Sequence, residues 1–175
     1  MKKQPDFQKL FFEYFGGKPK RVTYVVRRDS NCFHDLVFLA SLLHDARLKR
    51  GEVRLRGKRL SIPINRDAWE LFPVTCVGDA RELYTADARL TISPVVRMEW
   101  RFDADVRFDP DFELWIDDVW MDRKLSAADP KADDIRTVMI EGFGWRCVLW
   151  VLDHDLKIRL QDLQVPHAYG ESVAP

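Results

Sequence analysis

Ser93-Pro94-Val95-Val96-Arg97-Met98-Glu99-Trp100-Arg101-Phe102 is the stretch that decides the fold. Val96, Met98, Trp100 and Phe102 share one parity, and Arg97, Glu99 and Arg101 share the other. A period of two residues belongs to a strand with one face buried and one face wet. Pro94 has no N–H to give a central ladder, so it separates two strands, Arg89–Ser93 and Val95–Phe102.

Reading outward, Phe112–Met121 continues the strand pattern less regularly. Ile135–Glu141 and Trp145–Leu152 flank Gly142-Phe143-Gly144 and predict a hairpin. Asp153-His154-Asp155 forms the next turn, and a last strand starts at Leu156. Upstream, Leu48–Leu55 and Arg59–Ile64 flank Arg56-Gly57-Lys58, a second hairpin tip. Arg21–Arg27 and Pro73–Val77 also read as strands, Arg66–Phe72 as a helical turn carrying Trp69, and Lys124–Asp134 as a loop. Two segments keep a helical period. Phe7–Phe15 is short, with Asp6 as N-cap. From about Cys32 to His44, Phe33, Leu36, Val37, Ala40 and Leu43 form one apolar stripe. The expected architecture is β-rich α+β: an antiparallel sandwich or curved sheet of about nine strands with one main helix at 32–44.

The 175 residues fit a single domain over 1–166, with a frayed tail over 167–175. The 46% hydrophobic content supplies a core and argues against disorder. No apolar run approaches the ~20 residues that span a bilayer, and charges at Asp6, Lys9 and Glu13 interrupt any signal-peptide pattern. Cys32, Cys76 and Cys147 are odd in number and lack CxxC spacing, so reduced thiols and a cytoplasmic location are expected. Lys+Arg and Asp+Glu balance at 28 each, yet unevenly: residues 1–66 hold 16 and 6, residues 67–175 hold 12 and 22. Such asymmetry steers partners.

Five constellations carry candidate chemistry. Asp29-Ser30-Asn31-Cys32 opens the main helix, where the helix N-terminus lowers a thiol pKa; with His154 or His167 as base, Cys32 would be a hydrolase nucleophile. The Asp-x-Asn-Cys pattern resembles the start of the OTU family of deubiquitinating cysteine proteases, although Ser30 replaces the usual Gly. The plain alternative is an N-cap followed by a small buried residue. His34-Asp35, His44-Asp45 and His154-Asp155 repeat a His-Asp theme found in HD-type phosphohydrolases. His34 and His44 fall about 80° apart around a helix, which suits solvated polar residues better than one metal face. Asp103, Asp105, Asp109 and Asp111 provide hard oxygen donors for calcium but lack the EF-hand glycine, and Asp109-Pro110-Asp111 reads equally as a turn.

The basic hairpin bears Arg54, Arg56, Lys58 and Arg59, with Arg47, Lys49 and Arg50 just before it. It suits an acidic protein partner better than nucleic acid, because no aromatic residues interleave to stack on bases. Trp115 and Trp145 are candidate exposed anchors for such a partner. No P-loop, GxGxxG, GxSxG or HExxH pattern is present, and no motif calls for a cofactor or a membrane.

Leu43-His44-Asp45-Ala46-Arg47-Leu48 before the Val53–Ile64 hairpin, with Ile116-Asp117-Asp118-Val119 later, resembles small bacterial β-rich proteins, some of them immunity-protein-like sandwiches. The resemblance implies a binding protein without catalysis and carries over no functional residue. The expected function is therefore a non-catalytic intracellular protein-binding module. A cysteine hydrolase on Cys32 and a calcium- or nucleic-acid-binding β domain are the alternatives. An exposed strand edge would also allow a homodimer.

Overall fold

Alternation translates directly into sheets. The computed structural model describes residues 20–26, 32–68, 76–77, 80–81, 84–103, 109, 111–122 and 135–168. The larger antiparallel sheet runs in the order β1 (Thr23–Val26), β13 (Lys157–Asp162), β7 (Tyr84–Ser93), β4 (Arg59–Asp67), β2 (Arg47–Lys49), β9 (Glu113–Trp115). β3 (Arg54–Arg56) also pairs with β4, and β14 (His167–Ala168) with β7. The smaller sheet runs β10 (Asp118–Met121), β11 (Ile135–Gly142), β12 (Trp145–Leu152), β8 (Val95–Phe102). A two-stranded ribbon, β5 (Cys76–Val77) with β6 (Ala80–Arg81), stands apart. The helix α1 spans Cys32–Leu43. A β-rich α+β fold with two antiparallel sheets is thus what the alternation predicts and what the chain forms.

The two sheets share one core. Leu60, Ile62 and Ile64 of β4, Leu90 and Ile92 of β7, and Ile158 and Leu160 of β13 face inward from the large sheet. Val138 and Ile140 of β11 and Cys147, Leu149 and Val151 of β12 face them from the small one. α1 packs against β1, β4 and β10, so it bridges both sheets. Its buried face is Leu36, Leu39, Leu42 and Leu43; Val37, expected on that face, is 54% exposed. Asp45 ends the helix in the left-handed region at φ 64, a position that short polar side chains tolerate.

Three local readings change. Leu48–Leu55 is not one strand: the 3₁₀ turn Arg50–Glu52 separates β2 from β3. Phe112–Met121 is two strands in different sheets, because the chain turns the corner at Ile116-Asp117 between β9 and β10. There the Ile116 N–H donates to Ala46 O at 2.8 Å and the Asp117 N–H to Glu141 O at 2.8 Å, holding the corner on both sides. Arg66 and Asp67, expected in a helical turn, end β4 instead. Of the tail expected to fray, His167 and Ala168 pair with Thr85 and Tyr84. The expected helix over 7–15, Trp69, the loop over 124–134 and the chain beyond 168 lie outside the described residues.

One buried ion pair crosses the large sheet. Arg66 Nε and Nη2 donate to Asp162 Oδ1 and Oδ2, both at 2.8 Å, with both side chains at 0% exposure. Asp162 Oδ2 also accepts from the Val22 N–H at 2.8 Å. The charges are thereby fully hydrogen-bonded, the condition for tolerating them inside.

Candidate functional site

The solvent face of the large sheet gathers cations from four strands. On β4, β7 and β13 the core-facing positions are even-numbered, so odd-numbered residues point to water. Register then builds rows across the sheet. Arg54 lies opposite Ser61, Ser61 opposite Thr91, and Thr91 opposite Arg159. In the neighbouring row Arg56 lies opposite Arg59, and Lys157 opposite Ser93. On the other side Arg89 sits between Pro63 and Gln161. Neighbouring strands are about 4.8 Å apart and alternate residues about 6.7 Å apart, so the six cations cover a patch roughly 15 Å across. All six are exposed, and none forms an ion pair with a described carboxylate.

Local geometry presents the hairpin end of this patch. The β3–β4 turn is the two residues Gly57-Lys58, with Gly57 at φ 57, as a tight hairpin requires. Arg54 Nη1 donates to Gly51 O and to Val53 O, which steadies its guanidinium. The Val95 N–H donates to Lys58 O at 2.7 Å, tying the tip to the start of β8. Arg56 directly opposite Arg59 is a like-charge cross-strand pair, an arrangement that costs stability.

The other end of the same face is neutralised. Arg47 Nη2 donates to Asn65 Oδ1 at 2.5 Å and to Asp67 Oδ1 at 3.1 Å. Asn65 Nδ2 and Gln164 Nε2 each donate to Asp87, both at 2.9 Å. The Trp115 ring lies 5.5 Å from Arg47 Cζ. Burial pushes the Asp67 carboxyl above its ordinary pKa despite Arg47, and Asp45 adds to the rise. A cleft of about 300 Å³ opens here among Arg47, Lys49, Asn65, Asp87 and Glu113. Opposite charges meet within it, so it does not extend the basic patch.

The structure sorts the sequence candidates. Arg54, Arg56, Lys58 and Arg59 are exposed on the hairpin, as a contact surface needs. Trp115 is 48% exposed, but Trp145 is only 5% exposed and is not a surface anchor. Its parity on β12 turns it into the core, where its Nε1 donates to Trp115 O at 3.2 Å. The side chains of Cys32 and Asp105 lie outside the described residues. His154 sits in the 3₁₀ turn between β12 and β13, 3.2 Å from Asp155. His167, in β14, pairs with Thr85 at the opposite end of β7 from Ser93, the partner of Lys157. The two histidines therefore lie toward opposite ends of the large sheet.

Of the calcium candidates, Asp109 Oδ1 accepts from the Asp111 N–H at 2.9 Å, a turn contact, and Asp103 stands apart at the end of β8. Among the described residues, no three His, Cys, Asp or Glu are placed to hold a metal ion. The His-Asp pairs have separate roles. Asp35 is buried and accepts from Tyr24 OH at 3.0 Å, while His44 Nδ1 lies 3.0 Å from Asp117 O. Cys147 faces the core, and burial pushes its thiol up to about 12, against the pull of Arg50. It is a packing residue.

Arg89, Lys157 and Arg159 were not among the sequence candidates. Their alternation with buried neighbours was visible, but their approach to the hairpin depends on pairing between distant strands. Comparison of the chain with protein-family models, curated proteins and solved structures finds no match. No helix among the described residues is long and apolar enough to cross a membrane.

Proposed function

We propose that this chain is a non-catalytic binding module, immunity-like in character, that docks an acidic protein surface on the solvent face of its large sheet. The observation that carries this reading is the set Arg54, Arg56, Arg59, Arg89, Lys157 and Arg159 on one sheet face, without an ion-pair partner among the described residues. Six cations held at one end of a sheet, two of them directly opposed, stabilise little by themselves. A complementary partner would relieve their repulsion and gain association rate from the field. The residues among them are Ser61, Thr91, Ser93, Pro63 and Gln161, so the patch offers hydroxyls and amides but no rings to stack on bases. This favours a protein carboxylate surface over a single-stranded nucleic acid. The free, buried Cys147 thiol is in keeping with action inside the cell.

The test is fluorescence anisotropy with a labelled oligoglutamate peptide and a labelled single-stranded oligonucleotide. The wild type is compared with Arg56→Glu/Arg59→Glu/Arg159→Glu at about 50 and 300 mM salt. Expected is peptide binding that weakens at least tenfold in the triple variant and falls with salt. Failure of the wild type to bind the peptide, or equal binding by the variant, overturns the reading. Tighter binding of the oligonucleotide, lost in the same variant, would replace it with a nucleic-acid function.

A further inference from the structure

β8 is a long strand with one open edge. Seven of its eight residues pair with β12 on one side, from Phe102 opposite Trp145 to Val95 opposite Val151, with Val96 left out of the register. Among the described residues no strand pairs with its other side; only the Val95 N–H, bound to Lys58 O, is engaged there. The other edge strands are short: β1 and β10 have four residues, β3 and β9 three. Shortness is a common way to blunt an edge, and β8 lacks it. It has no internal proline, and its one irregularity, a bulge at Val96 opposite Trp150/Val151, is confined to its first residues and leaves Arg97–Phe102 regular.

The side chains of β8 favour one occupant. Its outward row is Arg97, Glu99, Arg101, followed by Asp103 just beyond the strand. In the single chain, Glu99 accepts from Arg97 Nη2 at 2.9 Å and from Arg101 Nε at 2.8 Å. Consider a second copy laid antiparallel along the open edge, about a two-fold axis. Centred on Glu99, it sets Glu99 against itself and Arg97 against Arg101, all like charges. Centred on Met98, it pairs Arg97 with Glu99 but leaves Arg101 opposite Val95. Centred on Trp100, it sets Arg97 opposite the partner's Asp103 and Glu99 opposite the partner's Arg101, and the two-fold repeats both. Every charged position then meets its opposite. On the core side, Met98 meets the partner's Phe102 and the two Trp100 residues meet at the axis.

We propose that the chain forms a homodimer by antiparallel pairing of β8 with β8 of a second copy, centred on Trp100, giving a continuous eight-stranded sheet. Main-chain hydrogen bonds supply the affinity, as in other strand additions. The charge row selects self over other strands and one register over its neighbours. The pairing leaves the basic face of the other sheet unused, so it stands independently of the function proposed above.

The experiment is sedimentation equilibrium on the wild type, Glu99→Arg, Arg101→Glu, and an equimolar mixture of the two variants, each at about 100 µM. Expected is a wild-type dimer and two variants whose self-association is at least tenfold weaker, since each sets like charges at positions 99 and 101. The mixture should recover a heterodimer, because the arginine introduced at position 99 of one variant then faces the glutamate introduced at position 101 of the other. A monomeric wild type overturns the proposal whatever the variants do. Variants that still dimerise, or a folded mixture that stays monomeric, overturn it as well. Both substituted positions point to solvent, and thermal melts of each variant establish that the species compared are folded.

Discussion

At the scale of residues, the Arg66–Asp162 pair is the most consequential contact. Both side chains are fully buried and joined through two hydrogen bonds, with Val22 satisfying a further site on the carboxylate. Removing one partner leaves a buried charge with no counterpart, while removing both leaves only a shape to fill. Asp162→Ala is therefore expected to lower unfolding free energy by about 3–5 kcal/mol in urea titrations. Arg66→Met/Asp162→Leu should recover most of that loss, and a double variant as unstable as the single would show that the pair contributes more than mutual neutralisation. Sequence periodicity predicted a helical turn here, since one Arg among apolar even positions breaks the strand pattern. The missing information was Asp162, 96 residues away. A polar residue on a buried face is legible only together with its partner.

At the scale of elements, alternation was legible wherever a strand had one wet face. β13 follows the expected parity, β8 follows it from Arg97 on while Val96, expected on the buried face, is 49% exposed at a bulge, and α1 falls on the expected residues. Reading stopped short on β7, where Ala86 and Ala88 are buried but have little strand preference of their own. It ran too far at Phe112–Met121, because Leu114, Ile116 and Val119 are all buried although the chain changes sheets between them. The β11–β12 hairpin gives a sharp test of packing at that corner. A Cβ at Gly142 would run into the Trp115 backbone oxygen and the Trp145 indole, whereas its neighbour Phe143 is 94% exposed. Gly142→Ala is expected to destabilise by about 1–3 kcal/mol, as other overpacked sites do. Phe143→Ala should leave the melting temperature within about 1 °C, as exposed positions do. Equal effects from the two substitutions would show that the corner relaxes freely.

At the scale of the whole molecule, net charge conceals the feature that matters. The formal balance is zero, yet one end of one sheet face carries six cations without carboxylate partners among the described residues. Half of the site was legible as the basic hairpin. Arg89, Lys157 and Arg159 joined it only through register, which no local pattern encodes. A multivalent anion seated there should stabilise the fold by about 1 kcal/mol, raising the melting temperature by about 2–4 °C over chloride of equal ionic strength. Sulfate in a thermal melt provides the check, with Arg56→Glu/Arg59→Glu expected to lose the increment; an unchanged gain in that variant would assign it to general salting-out. The topology of the same sheet has a further consequence, for how the protein is made. Among the described residues β1 pairs only with β13: Tyr24 lies opposite Leu160, and Val22 is held by Asp162. On a ribosome adding about 5–20 residues per second, the first strand must wait on the order of 10 s for its partner to be translated. Until then its side chains can pack against α1, but its backbone lacks the β13 strand it pairs with. The large sheet thus stays open along its β13 position until that strand has emerged, and its closure is set by the pace of translation between the two.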